Sequence, residues 1–162
     1  MSVVLSLGSN LGDREALIRD AVAAIGALEG VTVTAASALV ETPALKPHGI
    51  DVDAPAYLNA VVLVETALQP PALLAALADI ERSQGRTREE RWGDRTLDID
   101  IVAWHDLVLE SDVLTIPHPR AAERAFVLAP WLEVDAGAVL AGIPVAELLS
   151  ERPTIYPAEP LL

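Results

Sequence analysis

Two hydrophobic periods alternate along this chain, one of two residues and one between three and four. Val3 to Leu7 is a short apolar run of the kind that forms a buried strand. Gly8-Ser9-Asn10-Leu11-Gly12-Asp13 follows, a cluster of turn formers and candidate caps, so a helix is expected to begin there. Leu17, Ala21, Ala24, Ile25 and Leu28 recur at helical spacing, and Gly30 is expected to close the segment as a C-terminal glycine. Val31 to Ala38 alternates apolar residues with Thr and Ser, and Ala60 to Thr66 is rich in valine; both read as strands. Pro70-Pro71 opens a second helix with Leu73, Leu77 and Ile80 on one face, because proline in a first turn lacks only an N–H that would be unpaired anyway. Leu97 to Ala103 is the fourth strand.

Strand, helix, strand, strand, helix, strand is the split βαβ order. It predicts an α+β, ferredoxin-like fold: a βαββαβ core with a mainly antiparallel sheet and helices packed on it. Beyond Ala103, Trp104-His105-Asp106 predicts a turn into Leu107-Val108-Leu109, and Ile143 to Ser150 a short helix. Residues 153–162, with Pro153, Pro157 and Pro160, are expected to form an extended tail. No repeat or linker interrupts the pattern, so residues 1–162 are expected to form one domain. Two connections exceed what packing requires, Pro43 to Pro55 and Ser83 to Arg95, and long irregular loops flanking polar residues predict mobile walls of a site.

Charge sharpens this picture. The net charge is −13, which disfavours broad contact with nucleic acid or an anionic membrane. Yet five arginines, Arg82, Arg86, Arg88, Arg91 and Arg95, fall within a short stretch, and Arg120 and Arg124 follow. Arginine concentrated in an acidic protein points to a small, highly charged anion. No run approaches the length of a membrane span, and the N-terminal residues lack a basic stretch and cleavage site, so a cytoplasmic protein is expected. The absence of cysteine excludes disulfides, thiolate catalysis and thiolate-bound metal.

The sharpest local signal is Thr96-Leu97-Asp98-Ile99-Asp100-Ile101. On a strand, Leu97, Ile99 and Ile101 would enter the core while Asp98 and Asp100 share the other face, about 6 to 7 Å apart. Carboxylates so placed repel one another unless a divalent cation relieves them; the same alternation also describes a solvated acidic face. The arginines just before them could likewise be a solvated loop paired with Glu81, Glu89, Glu90 and Asp94. Together, acids and arginines suit phosphoryl transfer, in which positioning and charge compensation dominate. The only lysine is Lys46, so no lysine-bearing phosphate loop exists. His118, between Pro117 and Pro119, could donate to a phosphate, and Tyr57 with Phe126 could clamp a flat ring or simply pack in the core.

Read together, these residues resemble the 6-hydroxymethyl-7,8-dihydropterin pyrophosphokinases. The matching stretches are Leu7-Gly8-Ser9-Asn10-Leu11-Gly12, Glu41-Thr42-Pro43, Tyr57-Leu58-Asn59-Ala60, Glu81 with Gly85-Arg86, Arg91 through Asp100, Ile116-Pro117-His118-Pro119 and Arg124 through Leu128. The resemblance implies an ATP-dependent pyrophosphokinase of folate biosynthesis that transfers pyrophosphate from ATP to the hydroxymethyl group of the pterin. It implies two Mg²⁺ ions held by Asp98 and Asp100, with Arg86 and Arg95 on the triphosphate as catalytic groups. Arg88, Trp92, Ile101, Thr115, His118 and Arg124 would complete the ATP site. The pterin would stack between Tyr57 and Phe126, its amide edge read by Asn59 and by the backbone of Thr42, Pro43 and Leu45. Two departures stand out: the spacing from Arg88 to Trp92 is one residue shorter than in some members, and Pro119 stands where others can have an aromatic residue. A monomer is expected. Other readings are a Nudix-type pyrophosphohydrolase, prompted by Arg88-Glu89-Glu90, and a non-catalytic ferredoxin-like ligand-binding module.

Overall fold

A computed structural model describes residues 1–10, 13–42, 44–46, 49–51, 57–84, 97–150 and 156–157, with backbone alone at 44–46, 49–51 and 156–157. The first strand, β1 (Ser2–Ser9), runs two residues past the apolar stretch, so Gly8 and Ser9 belong to the sheet and not to a turn. Helix α1 (Arg14–Gly26) is capped by Asp13, whose carboxylate accepts the Ala16 amide at 3.2 Å. It ends at Gly26, earlier than expected from Gly30, which instead takes a left-handed turn (φ 82°) leading into β2 (Val31–Ala36).

The next segments, β3 (Val40–Thr42), β4 (Ala44–Lys46) and β5 (Gly49–Asp51), fall partly in the stretch expected to be a loop, where β4 and β5 form their own hairpin. Then come β6 (Tyr57–Thr66) and α2 (Pro70–Ser83), with proline in the first turn as expected, and β7 (Asp98–Trp104). A hairpin of β8 (Leu109–Glu110) and β9 (Thr115–Ile116) follows, after a turn at which His105 has a positive φ. Helix α3 (Ala125–Val134) was not expected from the sequence. Strands β10 (Val139–Leu140) and β11 (Ile143–Pro144) lead into α4 (Val145–Leu149), and β12 (Tyr156–Pro157) pairs with β3, so the expected tail contributes to the sheet edge.

In the main sheet β1 lies between β6 and β7, all antiparallel, and β2 and β3 pair successive stretches of β6. Ser37 spans the join between those two strands: its amide donates to the Val61 carbonyl and its hydroxyl accepts the Val61 amide, each at 2.9 Å. The order β2, β6, β1, β7 is that of a ferredoxin-like α+β fold.

Each face of the sheet buries its own cluster. On one, Leu5, Leu7, Val62, Val64, Ile99 and Ile101 meet Ile18 and Ile25 of α1 and Leu73 and Leu77 of α2. On the other, Val4, Val61 and Val102 meet Val127, Leu128 and Trp131 of α3 and Val145 of α4. Burial of apolar surface at about 25 cal/mol per Å² makes both clusters contributors to stability.

Candidate active site

The strand period decides which side chains meet. Leu97, Ile99 and Ile101 are buried on the α1/α2 face, so Asp98 and Asp100 emerge on the α3/α4 face, both half-buried. Cross-strand partners share a face, and the register sets Asp98 opposite Gly8 and Asp100 opposite Ser6. Gly8 in turn lies opposite Asn59, Thr42 opposite Tyr57, and Val40 opposite Asn59. Thr42, Tyr57, Asn59, Asp98 and Asp100 therefore occupy one face at one end of the sheet.

Phe126, at the start of α3, packs against the cluster under that same face. Asn59 is buried, and its amide nitrogen donates to the Thr42 hydroxyl at 3.2 Å. Arg124 precedes Phe126 and reaches both ways: its Nη1 lies 3.7 Å from Asp100 Oδ2, and its guanidinium carbon stands 5.6 Å from the Phe126 ring centroid.

His118 belongs to the same group. Burial is the main cause that holds its pKa below the ordinary histidine value; Asp100 pulls it up, while Arg124 and Arg120 push it down. Its backbone N–H donates to the Val102 carbonyl at 2.9 Å, which ties it to the strand of the two acids. Nδ1 accepts the Arg120 amide at 3.2 Å, so the neutral ring carries its proton on Nε2, a donor for an anion.

Thr115 stands half-buried in β9. Ile101 is 3 % exposed and faces the α1/α2 cluster, so any nucleotide contact from this residue would run through its main chain. Pro43, Arg86, Arg88, Trp92 and Arg95 lie outside the described residues, and of Leu45 only the backbone is described.

Two further groups emerge from the coordinates. Glu81 of α2 is buried, and its Oε2 accepts the amide of Ile99, the residue between the two acids, at 2.9 Å. In the sequence Glu81 stands out only as a partner for the arginines and in a matching stretch; its bond to Ile99 leaves no local signal, because the donor lies on a different element. Asn10, just past β1, is 2 % exposed, with neither side-chain atom hydrogen-bonded among the described residues; position in a run of turn formers made it read as a cap.

Asp98 and Asp100 offer hard oxygen donors and, among the described residues, no third His, Cys, Asp or Glu joins them in a metal-binding group. That donor set fits Mg²⁺, which takes one or two carboxylates and completes its shell with water and phosphate oxygens.

The model of the 7,8-dihydro-6-hydroxymethylpterin-pyrophosphokinase (HPPK) family matches residues 4–136. A 2-amino-4-hydroxy-6-hydroxymethyldihydropteridine pyrophosphokinase of Methylorubrum extorquens is 42% identical over 147 residues, covering 91% of this chain and 90% of the relative. One from Bacillus subtilis is 45% identical over 130 residues, covering 80% and 75%. Among solved structures, wild-type Plasmodium falciparum HPPK-DHPS superposes with a TM-score of 0.68 at 15% identity, covering 93% of this chain and 44% of that one. The same protein with pteroate gives a TM-score of 0.70 at 13% identity, covering 93% and 44%. This chain thus spans less than half the length of those solved chains, and the likeness to them shows the fold.

Proposed function

This chain belongs to the 7,8-dihydro-6-hydroxymethylpterin-pyrophosphokinase family, and from that premise we propose that its chemistry takes place on the sheet face shared by Thr42, Tyr57, Asn59, Asp98 and Asp100. As a pyrophosphokinase of folate biosynthesis it transfers pyrophosphate from ATP to the hydroxymethyl group of 6-hydroxymethyl-7,8-dihydropterin. The family match leaves no support for a Nudix-type hydrolase or a non-catalytic module.

The observation that carries the site is the register of β6, β1 and β7, which lines up the ring-binding and phosphate-binding candidates on adjacent strands. Tyr57 and Phe126 hold the pterin between them, and Asn59, oriented by Thr42, reads its amide edge together with the backbone of Thr42, Pro43 and Leu45. Arg124 and the Nε2–H of His118 receive phosphate oxygens beside Asp100, while Thr115, Trp92 and the main chain of Ile101 line the nucleotide. Arg86 and Arg95, with Arg88, bring guanidinium groups to the triphosphate. Asp98 and Asp100 would hold two Mg²⁺ ions, which when bound supply charge compensation for the phosphate oxygens.

With the ring fixed, the hydroxymethyl oxygen bonds to the β-phosphorus, the bond from that phosphorus to the α–β bridging oxygen breaks, the hydroxyl proton is released, and AMP leaves. Positioning is the chain's main contribution, because a fixed near-attack geometry replaces a bimolecular encounter. We take the chain to act as one domain and as a monomer in the cytoplasm; separately, among the described residues no helix is long and apolar enough to cross a membrane.

Incubation with ATP, Mg²⁺ and hydroxymethyl-dihydropterin tests the reading. AMP and pterin diphosphate should appear in equal amounts, and a single monomer mass should be seen by light scattering. ATP consumption that does not depend on the pterin would refute it.

A further inference from the structure

Gly8 is a glycine in the middle of a sheet, where the residue usually costs stability and packs nothing. Its backbone does not call for glycine, since β1 is regular here and pairs on both sides. What distinguishes the position is its neighbours. Asn59 lies directly across on β6 and Asp98 directly across on β7, all three on one face, so Gly8 is the floor between them. With strands about 4.8 Å apart, the backbones of Asn59 and Asp98 stand about 10 Å from each other, room for a flat ring between an amide-reading group and a phosphoryl-transfer group.

A Cβ on Gly8 would fall 2.8 Å from Asn59 Oδ1, closer than Cβ atoms come to any neighbour, and its next contacts, Leu58 O at 3.8 Å and Asn59 Cγ at 3.9 Å, are ordinary. Among the described residues the single obstacle is thus the carboxamide oxygen of Asn59. That oxygen is aimed over Gly8 because the amide nitrogen is engaged by the Thr42 hydroxyl at 3.2 Å.

We propose that Gly8 is a positioning residue for pterin recognition: its missing side chain lets the Asn59 carboxamide lie over the floor of the site, oxygen outward, as an acceptor for the ring's N–H groups. This rests on the assignment of the ring to Tyr57, Asn59 and Phe126. A methyl at position 8 turns the carboxamide and breaks its bond to Thr42. It leaves Asp98, Asp100, Arg124 and His118 untouched.

The effect should therefore fall on one substrate. In Gly8→Ala the KM for hydroxymethyl-dihydropterin should rise at least about tenfold, while the KM for ATP stays within about twofold. The side-chain amide resonances of Asn59 should move in the absence of any ligand. Adding Gly8→Ala to Asn59→Ala should change the pterin KM by less than about twofold, because the intermediary is already gone. Equal weakening of both substrates, an unchanged pterin KM, or additive effects in the double variant would overturn the proposal. If Gly8→Ala alone does not fold, removing the Asn59 carboxamide should restore folding; failure of both variants to fold would make glycine a backbone requirement and overturn it too. Absence of pterin-dependent AMP in the wild-type protein would instead sink the functional reading itself.

Discussion

Arg124 holds a guanidinium nitrogen 3.7 Å from a carboxylate oxygen of Asp100, joining the start of α3 to the strand that carries both acids. The pair is partly exposed, so its contribution to stability is at most about 1 kcal/mol. Asp100→Ala should leave the thermal midpoint within a few degrees. Turnover should nevertheless fall by at least about a hundredfold, the scale of losing one charge-organising group, and Asp98→Ala should behave alike. Near-normal AMP production by either folded variant would remove the metal role from these residues.

Arg124 also stands over the Phe126 ring, so it lies between Asp100 on one side and the proposed pterin clamp on the other. Arg124→Met keeps the stem and loses the charge; the KM for ATP should rise by roughly tenfold, equivalent to about 1.4 kcal/mol. Arg124→Lys should recover only part, since an ammonium lacks the planar fork. Steady-state kinetics with ATP varied decides between these outcomes.

His118 supplies a pH dependence. Burial, with Arg124 and Arg120 adding and Asp100 opposing, depresses its folded pKa below the ordinary value of about 6.5. Between those two values the unfolded chain binds more proton than the folded one, so the contribution is complete above about 6.5 and disappears as pH falls through the folded pKa. Thermal midpoints of wild type and His118→Gln, without ligands, should therefore differ less in wild type's favour as pH falls from 7 toward 5. A difference that grows on acidification would contradict the assignment.

Glu81 fastens the outer edge of β7 by accepting the Ile99 amide. Glu81→Ala leaves that buried N–H without its acceptor, at a cost of about 1 to 3 kcal/mol. It should also raise the Mg²⁺ concentration giving half-maximal turnover, because the backbone between the acids loosens. Glu81→Gln keeps an acceptor oxygen and should recover most of both. Denaturant melts and Mg²⁺ titrations of the two variants provide the check.

Leu7 and Leu128 are fully buried on opposite faces of the sheet. Either truncation to alanine should cost about 2 to 5 kcal/mol, as for core leucines generally, read from urea unfolding.

Much of the fold was legible because its main elements declare themselves by period. Leu73, Leu77 and Ile80 repeat every three to four residues, and Leu97, Ile99 and Ile101 alternate with Asp98 and Asp100, so both α2 and β7 could be read with their buried sides. Helix α3 was not legible. Its ten residues, Ala125–Val134, are apolar almost throughout, leaving no polar face to set a period, and Pro130 within them reads as a breaker. The short β3, β4 and β5 are held by pairing partners and not by local preference, which a scan of neighbours does not register. Of the site, the acids showed through their alternation, whereas Gly8 looked like a turn former, since its significance lies in two residues on other strands.

Among the described residues, the two sides of the sheet are unequally protected. Helices of 13 and 14 residues cover one, while 10 and 5 residues cover the side bearing the acids and Asn59. Cooperative units with less buried contact open first. Warming should consequently silence this enzyme before it melts, and gentle cooling should revive it, a separation of inactivation from denaturation that follows from where the thinner roof lies.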